Sequence, residues 1–364
     1  MKEAFLALVR LGIGNAATVT LPDHIDWDEV EVLAEKQGVL GVVYDGAFRH
    51  TEITENTEIF PLTVKLRWMG KVMQGYEQRF VLYRKAVSDL AAWYHAHGYQ
   101  MMLLKGLACG CDWPKQEHRP YGDIDIWLFG RQSEADALMV QEFKVQGFKV
   151  DKSHHHHTVF NWQGFTVENH YDFVNVHHQK SNVELEKIFK ELGGDDSHSV
   201  EISGVKVYLP SPNLHALFLI KHLASHFAAD KITIRHLLDW AFFVEKHGEG
   251  VDWDWLLVEL ERFGMLRLFD VVNTICVENL GFRNGCWKTF DGYGVDVDLK
   301  QRVLNDIISP EFSEKTPEHI WKRIPFRFRR WKANEWKHEL CYNESMSSSF
   351  WSGVKNHLLK PASI

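Results

Sequence analysis

Apolar positions recur at helical spacing through most of the first hundred residues, change to short strand-like runs from Gln100, and return to helical spacing after Pro210. The opening MKEAFLALVRLG reads as the first turns of a buried helix, with Arg10 interrupting its apolar run. Asp26, Glu29 three residues on, and VEVLAEKQG predict a capped amphipathic helix stopped by a glycine. Phe80, Tyr83, Val87, Leu90, Ala91 and Tyr94 make the stripe of a longer helix within 64–97, and Gly98 supplies its stop. MMLLKG and DIDIWLFG are apolar runs of strand length. SEADALMVQEFKVQG is helical up to Gly147. TVFNWQGFTVENHYDFVNV alternates in two pieces about a turn at Gln163–Gly164, which predicts a hairpin or neighbouring strands. Past Pro210, Pro212 fits the first turn of a helix, and three further helical stretches follow. The expected fold is α/β (α+β): a small mixed sheet at 99–209, helical regions at 1–98 and 210–315, and a basic aromatic region at 316–364. Strands this short need helices over at least one face of the sheet.

Composition narrows the picture modestly. The chain has 364 residues, 45 % of them hydrophobic, enough for a large core. A net charge of -8 argues against a whole-surface nucleic-acid binder and leaves room for a local basic patch. Five scattered cysteines do not make a disulfide scaffold, and Cys109 and Cys111 stand too close for the usual zinc spacing. The fourteen tryptophans read as core and interface packing. No stretch has membrane-spanning length and no secretory leader is recognisable, so a cytoplasmic location is expected.

The chemistry concentrates in LLKGLACGCDWPKQEHRPYGDIDIWLF. Asp123 and Asp125 are two residues apart in a strand, so both point to one face while Ile124 and Ile126 anchor the other. Adjacent carboxylates repel, and a hard divalent cation relieves the repulsion. Mg2+ is the expected ion, with Mn2+ as a substitute. Glu168 completes a metal-binding trio if its strand lies beside DIDI; Asp172 is the rival third carboxylate. His170 shares the parity of Glu168 and reads as an orienting group, a proton acceptor or a structural histidine. Gly106 permits a sharp turn and close approach of a phosphate. Lys105 and Arg119 offer positive charge to a triphosphate, or are an ordinary strand end and loop charge.

These elements resemble the nucleotidyltransferase superfamily that includes DNA polymerase beta, and in particular a group of bacterial nucleotidyltransferase-like proteins. The resemblance rests on Leu104-Lys105-Gly106, Arg119, Gly122-Asp123-Ile124-Asp125 and Glu168-Asn169-His170, with His222, His226, Arg235 and Asp239 following on helices. It covers roughly 100–248. It implies transfer of a nucleoside monophosphate from a nucleoside triphosphate to an acceptor hydroxyl on a small molecule, glycan precursor or protein. Asp123, Asp125 and Glu168 would be the catalytic metal ligands. Lys105, Gly106, Arg119 and Gly122 would bind phosphates, and His170, His222, His226, Arg235 and Asp239 would assist. The chain departs from the wider superfamily at Lys105-Gly106-Leu107, where Gly-Ser or Gly-Gly is usual. Nucleotidyl transfer to RNA and a non-catalytic nucleotide-binding module are the alternatives. The absence of a Gly-Lys-Ser/Thr phosphate loop argues against a conventional P-loop kinase.

His222 and His226 share a helix face and, with Arg235 and Asp239, form a structural polar network, act directly in catalysis or contact the nucleotide base or phosphates, the structural network being the preferred reading. The run His154 to His157 reads as solvated surface histidines, as does the pair at 177–178. Residues 321–338 hold seven Lys/Arg and one Glu among aromatics. This is the one candidate nucleic-acid patch, but an amphipathic helix docked by its aromatics explains it better.

Overall fold

The switch in periodicity corresponds to a six-stranded sheet enclosed by helices. The computed structural model describes residues 1–54, 60–154, 156–177, 179–283, 285–289, 295–312, 314, 317 and 319–345. His155, His178 and the side chains of 321–324 and 327 lie outside the described residues. The N-terminal part is helical, as the pattern predicts: α1 (Lys2–Gly12), α2 (Trp27–Lys36), α3 (Leu40–Thr54), α4 (Leu62–Val72) and α5 (Gln78–Ala96). Asp26 caps α2 by accepting from the Glu29 N–H. A π-helical turn at Met73–Glu77 joins α4 to α5. Gly98 adopts a left-handed conformation after α5.

The sheet follows: β1 (Met102–Leu103), a short α6 (Leu107–Gly110), β2 (Ile124–Trp127), α7 (Gln132–Glu142), β3 (His157–Trp162), β4 (Phe165–His170), α8 (Ser181–Leu192), β5 (Ser199–Ile202) and β6 (Val205–Tyr208). The strand order is β3-β4-β2-β1-β6-β5. β2 runs parallel to β4 and β1 parallel to β6, while the other neighbours are antiparallel. The Gln163–Gly164 turn has positive φ at both residues, the geometry that favours a tight hairpin. The β5–β6 hairpin and α8 were not anticipated: the hairpin strands are four residues each and partly exposed, whereas α8 carries a clear amphipathic stripe through Leu185, Ile188, Phe189 and Leu192 that was passed over.

Helices cover both faces. Ile124, Ile126, Leu103 and Val167 pack with Tyr83, Val87 and Leu90 of α5 and Met139 of α7. Met102, Leu104 and Trp127 point the other way, into a core shared with α8 and the C-terminal helices. Those are α9 (Pro212–Ala229), α10 (Ile234–His247), α11 (Trp253–Arg262), α12 (Leu266–Glu278), α13 (Val297–Ile308), α14 (Ile320–Ala333) and α15 (Glu335–Cys341). The N-terminal helices join the same core, through Phe5, Val9 and Val43. Hydrogen bonds from Arg10 Nη1 to the Asn279 carbonyl and from Gln37 Nε2 to the Ile307 carbonyl tie the two helical parts together. No helix among the described residues is long and apolar enough to cross a membrane.

Gly106 sits at the turn after β1 with φ of +65°. A Cβ there would collide with Tyr83 Oη, which donates to the Asp123 carbonyl at 2.9 Å. The glycine thus lets α5 brace the segment entering β2. Gly106→Ala should destabilise the protein by about 3 kcal/mol in urea unfolding, with Tyr83→Phe recovering part of the loss in the double variant.

Candidate active site

Parallel pairing puts Asp125 of β2 directly opposite Glu168 of β4. Asp125 is 5 % exposed, and Asp123, one residue before the strand, is exposed to solvent. Asp125, Glu168 and His170 each place a ligand atom within 4.8 Å of the others. His170 Nε2 lies 3.4 Å from Asp125 Oδ1 and 3.6 Å from Glu168 Oε2, and Lys105 Nζ donates to Asp125 Oδ1 at 2.6 Å. Asp172, the rival third carboxylate, pairs instead with Lys190 at the start of the next segment.

Charge explains the titration of the group. Burial alone would raise the Asp125 pKa, but the Lys105 ammonium and His170 outweigh it and hold the carboxyl below its usual range. Hydrogen bonding to His170 lowers Glu168 against the opposing effect of burial. Burial disfavours the His170 imidazolium, yet its bonds to Asp125 and Glu168 raise its pKa. Asp123 reaches solvent, yet partial desolvation and the charges of Glu168 and Asp125 raise its pKa, which Lys105 only partly offsets. Among the described residues, Asp125 and Glu168 therefore meet at ligand distance together with His170, while Asp123 stands outside that group and feels it through charge. The hard oxygen donors of the carboxylates fit a magnesium-class cation.

The carboxylates form the floor of a cavity of about 1,040 Å³ between the sheet edge, α9, α10 and the α14–α15 segment. Lys105, Gly106, Arg119 and Gly122 line it on the sheet side, and His222, His226, Arg235 and Asp239 on the helical side. The structure thus brings the sequence-derived candidates to one space. Their roles differ in detail. Arg119 is buried and bonds bidentately to Asp239, at 2.8 and 2.9 Å. Trp113 Nε1 donates to the same carboxylate at 2.8 Å. Arg235 reaches Asp239 only at 3.4 Å and lies 2.9 Å from His236 Nε2. One carboxylate thus faces two guanidiniums. Arg119 holds it closely, while Arg235 keeps positive charge at the cavity wall. The His222 and His226 rings lie 4.3 Å apart and tilted to one another, with His236 5.9 Å from each. Burial, then the charges of Lys105 and their neighbours, keeps His222 and His226 neutral.

Sequence reasoning missed three cavity groups. Lys221 on α9 is buried, donates to Gln179 Oε1 at 3.3 Å and lies over the Tyr342 ring at 4.6 Å. Its apolar surroundings in the sequence signal a core helix and nothing more. Arg330 and Trp331 bring the basic aromatic segment to the cavity wall. The third is a correction. The histidine run is not simply a solvated loop: His157 is 7 % exposed at the start of β3, and His156 faces the cavity. Burial, together with neighbouring His170, holds His156 near a pKa of about 2, and burial lowers His157 to about 4.

Residues 23–281, more than half the chain, match the family described as uncharacterised nucleotidyltransferase, and the chain belongs to that family. No curated protein and no solved structure matches it.

Removing half of the Asp239 pair isolates a buried charge. Asp239→Asn should cost about 3–5 kcal/mol in chemical denaturation, whereas exposed Asp254→Asn should change stability little. Burial lowers the Lys221 pKa to about 8 despite the opposing charges of Cys341 and Glu344. A lysine with a lowered folded pKa binds fewer protons folded than unfolded between about pH 8 and 10.5, so stability from this group rises with pH across that window. Relative to wild type, Lys221→Met should lose a slope of up to about 1.4 kcal/mol per pH unit there, read from unfolding at several pH values.

Proposed function

We propose that the protein transfers a nucleoside monophosphate from a nucleoside triphosphate to an acceptor hydroxyl, with Mg2+ held by Asp123, Asp125 and Glu168. The observation that carries this reading is the division of charge across one cavity. A carboxylate floor suits a hard cation, and the opposite wall carries Arg235 and, further along, Lys221 and Arg330. A metal–triphosphate complex has the complementary pattern. The cavity is at the upper end of the volumes usual for small-ligand sites, which accommodates a nucleotide with part of an acceptor.

In the reaction an acceptor oxygen forms a bond to the α-phosphorus, and the bond from that phosphorus to the leaving pyrophosphate breaks. Asp123, Asp125 and Glu168 would hold the cation, which would supply charge neutralisation and Lewis acidity there. Arg235 binds phosphate oxygens, and Arg119 positions the α10 end through Asp239. Neutral His222 and His226 offer hydrogen bonds without adding charge. Glu168 Oε2 is turned towards His170, and Oε1 accepts the acceptor's proton. The α14–α15 segment restricts water at the far wall. Alignment and electrostatics carry most of the rate acceleration.

One observation favours a second reading. Lys105 already supplies Asp125 with a cation at 2.6 Å. A nucleotide-binding module without transfer would keep that pair closed. The two readings separate with a triphosphate labelled at the α-phosphate, supplied with Mg2+ and a panel of hydroxyl acceptors, sugars and RNA included. Transfer predicts acceptor labelling with matching pyrophosphate release, lowered at least about a hundredfold by Asp125→Asn or Glu168→Gln. Bound nucleotide without pyrophosphate release across the panel would favour the binding module. Arg235→Gln should weaken triphosphate binding about tenfold while leaving monophosphate binding less affected, measured by equilibrium titration.

A further inference from the structure

His154, His156 and His157 are held in place by their neighbours. Asp151 and Val159 exchange backbone hydrogen bonds at 2.7 and 2.9 Å, closing the loop that carries the histidines. The His156 carbonyl accepts from the Tyr171 and Asp172 N–H groups, each at 3.0 Å. Tyr171 Oη donates to the His154 carbonyl at 2.7 Å. These bonds fix the loop against the end of β4, where His170 lies.

The result is a cluster of three imidazoles. One ring nitrogen from each of His156, His157 and His170 lies within 4.8 Å of the other two. The ring centroids are 4.3 Å apart for His156 and His157, 5.2 Å for His157 and His170, and 5.6 Å for His156 and His170. Nδ1 of His156 and Nδ1 of His157 are both buried without a hydrogen-bond partner among the described residues. Buried ring nitrogens without partners are costly, and two side by side need a common explanation. His154 stands apart in kind: it is more exposed, stacks on His157 and lies 3.7 Å from Asp151.

We propose that His156, His157 and His170 form a binding site for a divalent transition-metal ion of the zinc class. Imidazole nitrogen is a preferred donor for such ions and a poor one for magnesium. Three protein nitrogens leave a fourth tetrahedral position, and His156 borders the cavity, so that position has access to water or a ligand there. His170 also contacts Asp125 and Glu168, which places the imidazole site beside the carboxylate site with one shared residue. Nitrogen donors on one side and oxygen donors on the other sort two kinds of cation. The assignment does not depend on nucleotidyl transfer.

The test is calorimetric titration of Zn2+ into the chelator-stripped full chain, carrying no affinity tag, with Co2+ absorption as a report on nitrogen ligation. One Zn2+ should bind per chain and persist in excess Mg2+. His156→Ala and His157→Ala should each raise the Kd at least about tenfold, as should His170→Gln. His154→Asn should leave it within about threefold. His156 is only partly buried, so its alanine variant should keep the native circular dichroism even if the more buried histidines do not tolerate replacement. Absence of stoichiometric binding would overturn the proposal. So would equal weakening by His154→Asn and His156→Ala, the mark of a solvated histidine run. Loss in Asp125→Asn with retention in His156→Ala and His157→Ala would place the ion on the carboxylates and also overturn it.

Discussion

The parallel pairing of β2 with β4 sets Asp125 opposite Glu168, and the rest of the site depends on that register. A shift of one residue would turn Asp125 into the apolar face with Ile124 and Ile126 and bring an isoleucine to the cavity. The register is held from behind, where Ile124, Ile126 and Val167 pack against α5 and α7. It is held in front by Lys105 and His170, which make two adjacent carboxylates tolerable in a largely buried place. Apolar packing thus stabilises an arrangement whose electrostatics would otherwise oppose it.

A second constraint joins the sheet to the helices. Asp239 on α10 receives Arg119 from the loop before β2 and Trp113 from the loop after α6. Two groups on the sheet side are therefore fixed to one carboxylate on the helical side. Taking Arg119 as a positioning residue leaves Arg235 as the better placed cation for an anionic ligand. The same division explains why the cavity has a negative floor and a positive wall at so short a separation.

Much of the framework was legible in the chain. Alternating isoleucines marked the face of Asp123 and Asp125, Gln163–Gly164 marked the hairpin, and Pro212 marked the start of α9. The parity of Glu168 and His170 followed from strand geometry alone. What could not be read were partnerships across long sequence separations. Nothing near Arg119 indicates that Asp239, 120 residues later, will hold it. Nothing near Gly106 indicates that Tyr83 needs the space. The histidine run looks polar and loop-like in the sequence, and the bonds from Tyr171 and Asp172 accompany the inward placement of His156 and His157. Local pattern determines which face a side chain takes; tertiary pairing determines which charges remain available for a ligand.

The most direct test of the account is calorimetric titration of each nucleoside triphosphate, with and without Mg2+, into the wild-type chain and the Asp123→Asn/Asp125→Asn variant. Mg2+-dependent binding of at least one triphosphate to the wild type, and its loss in the folded double variant, are expected. Failure of the folded wild type to bind any triphosphate, or equal binding by the variant, would contradict the central claim that these carboxylates form a metal–nucleotide site.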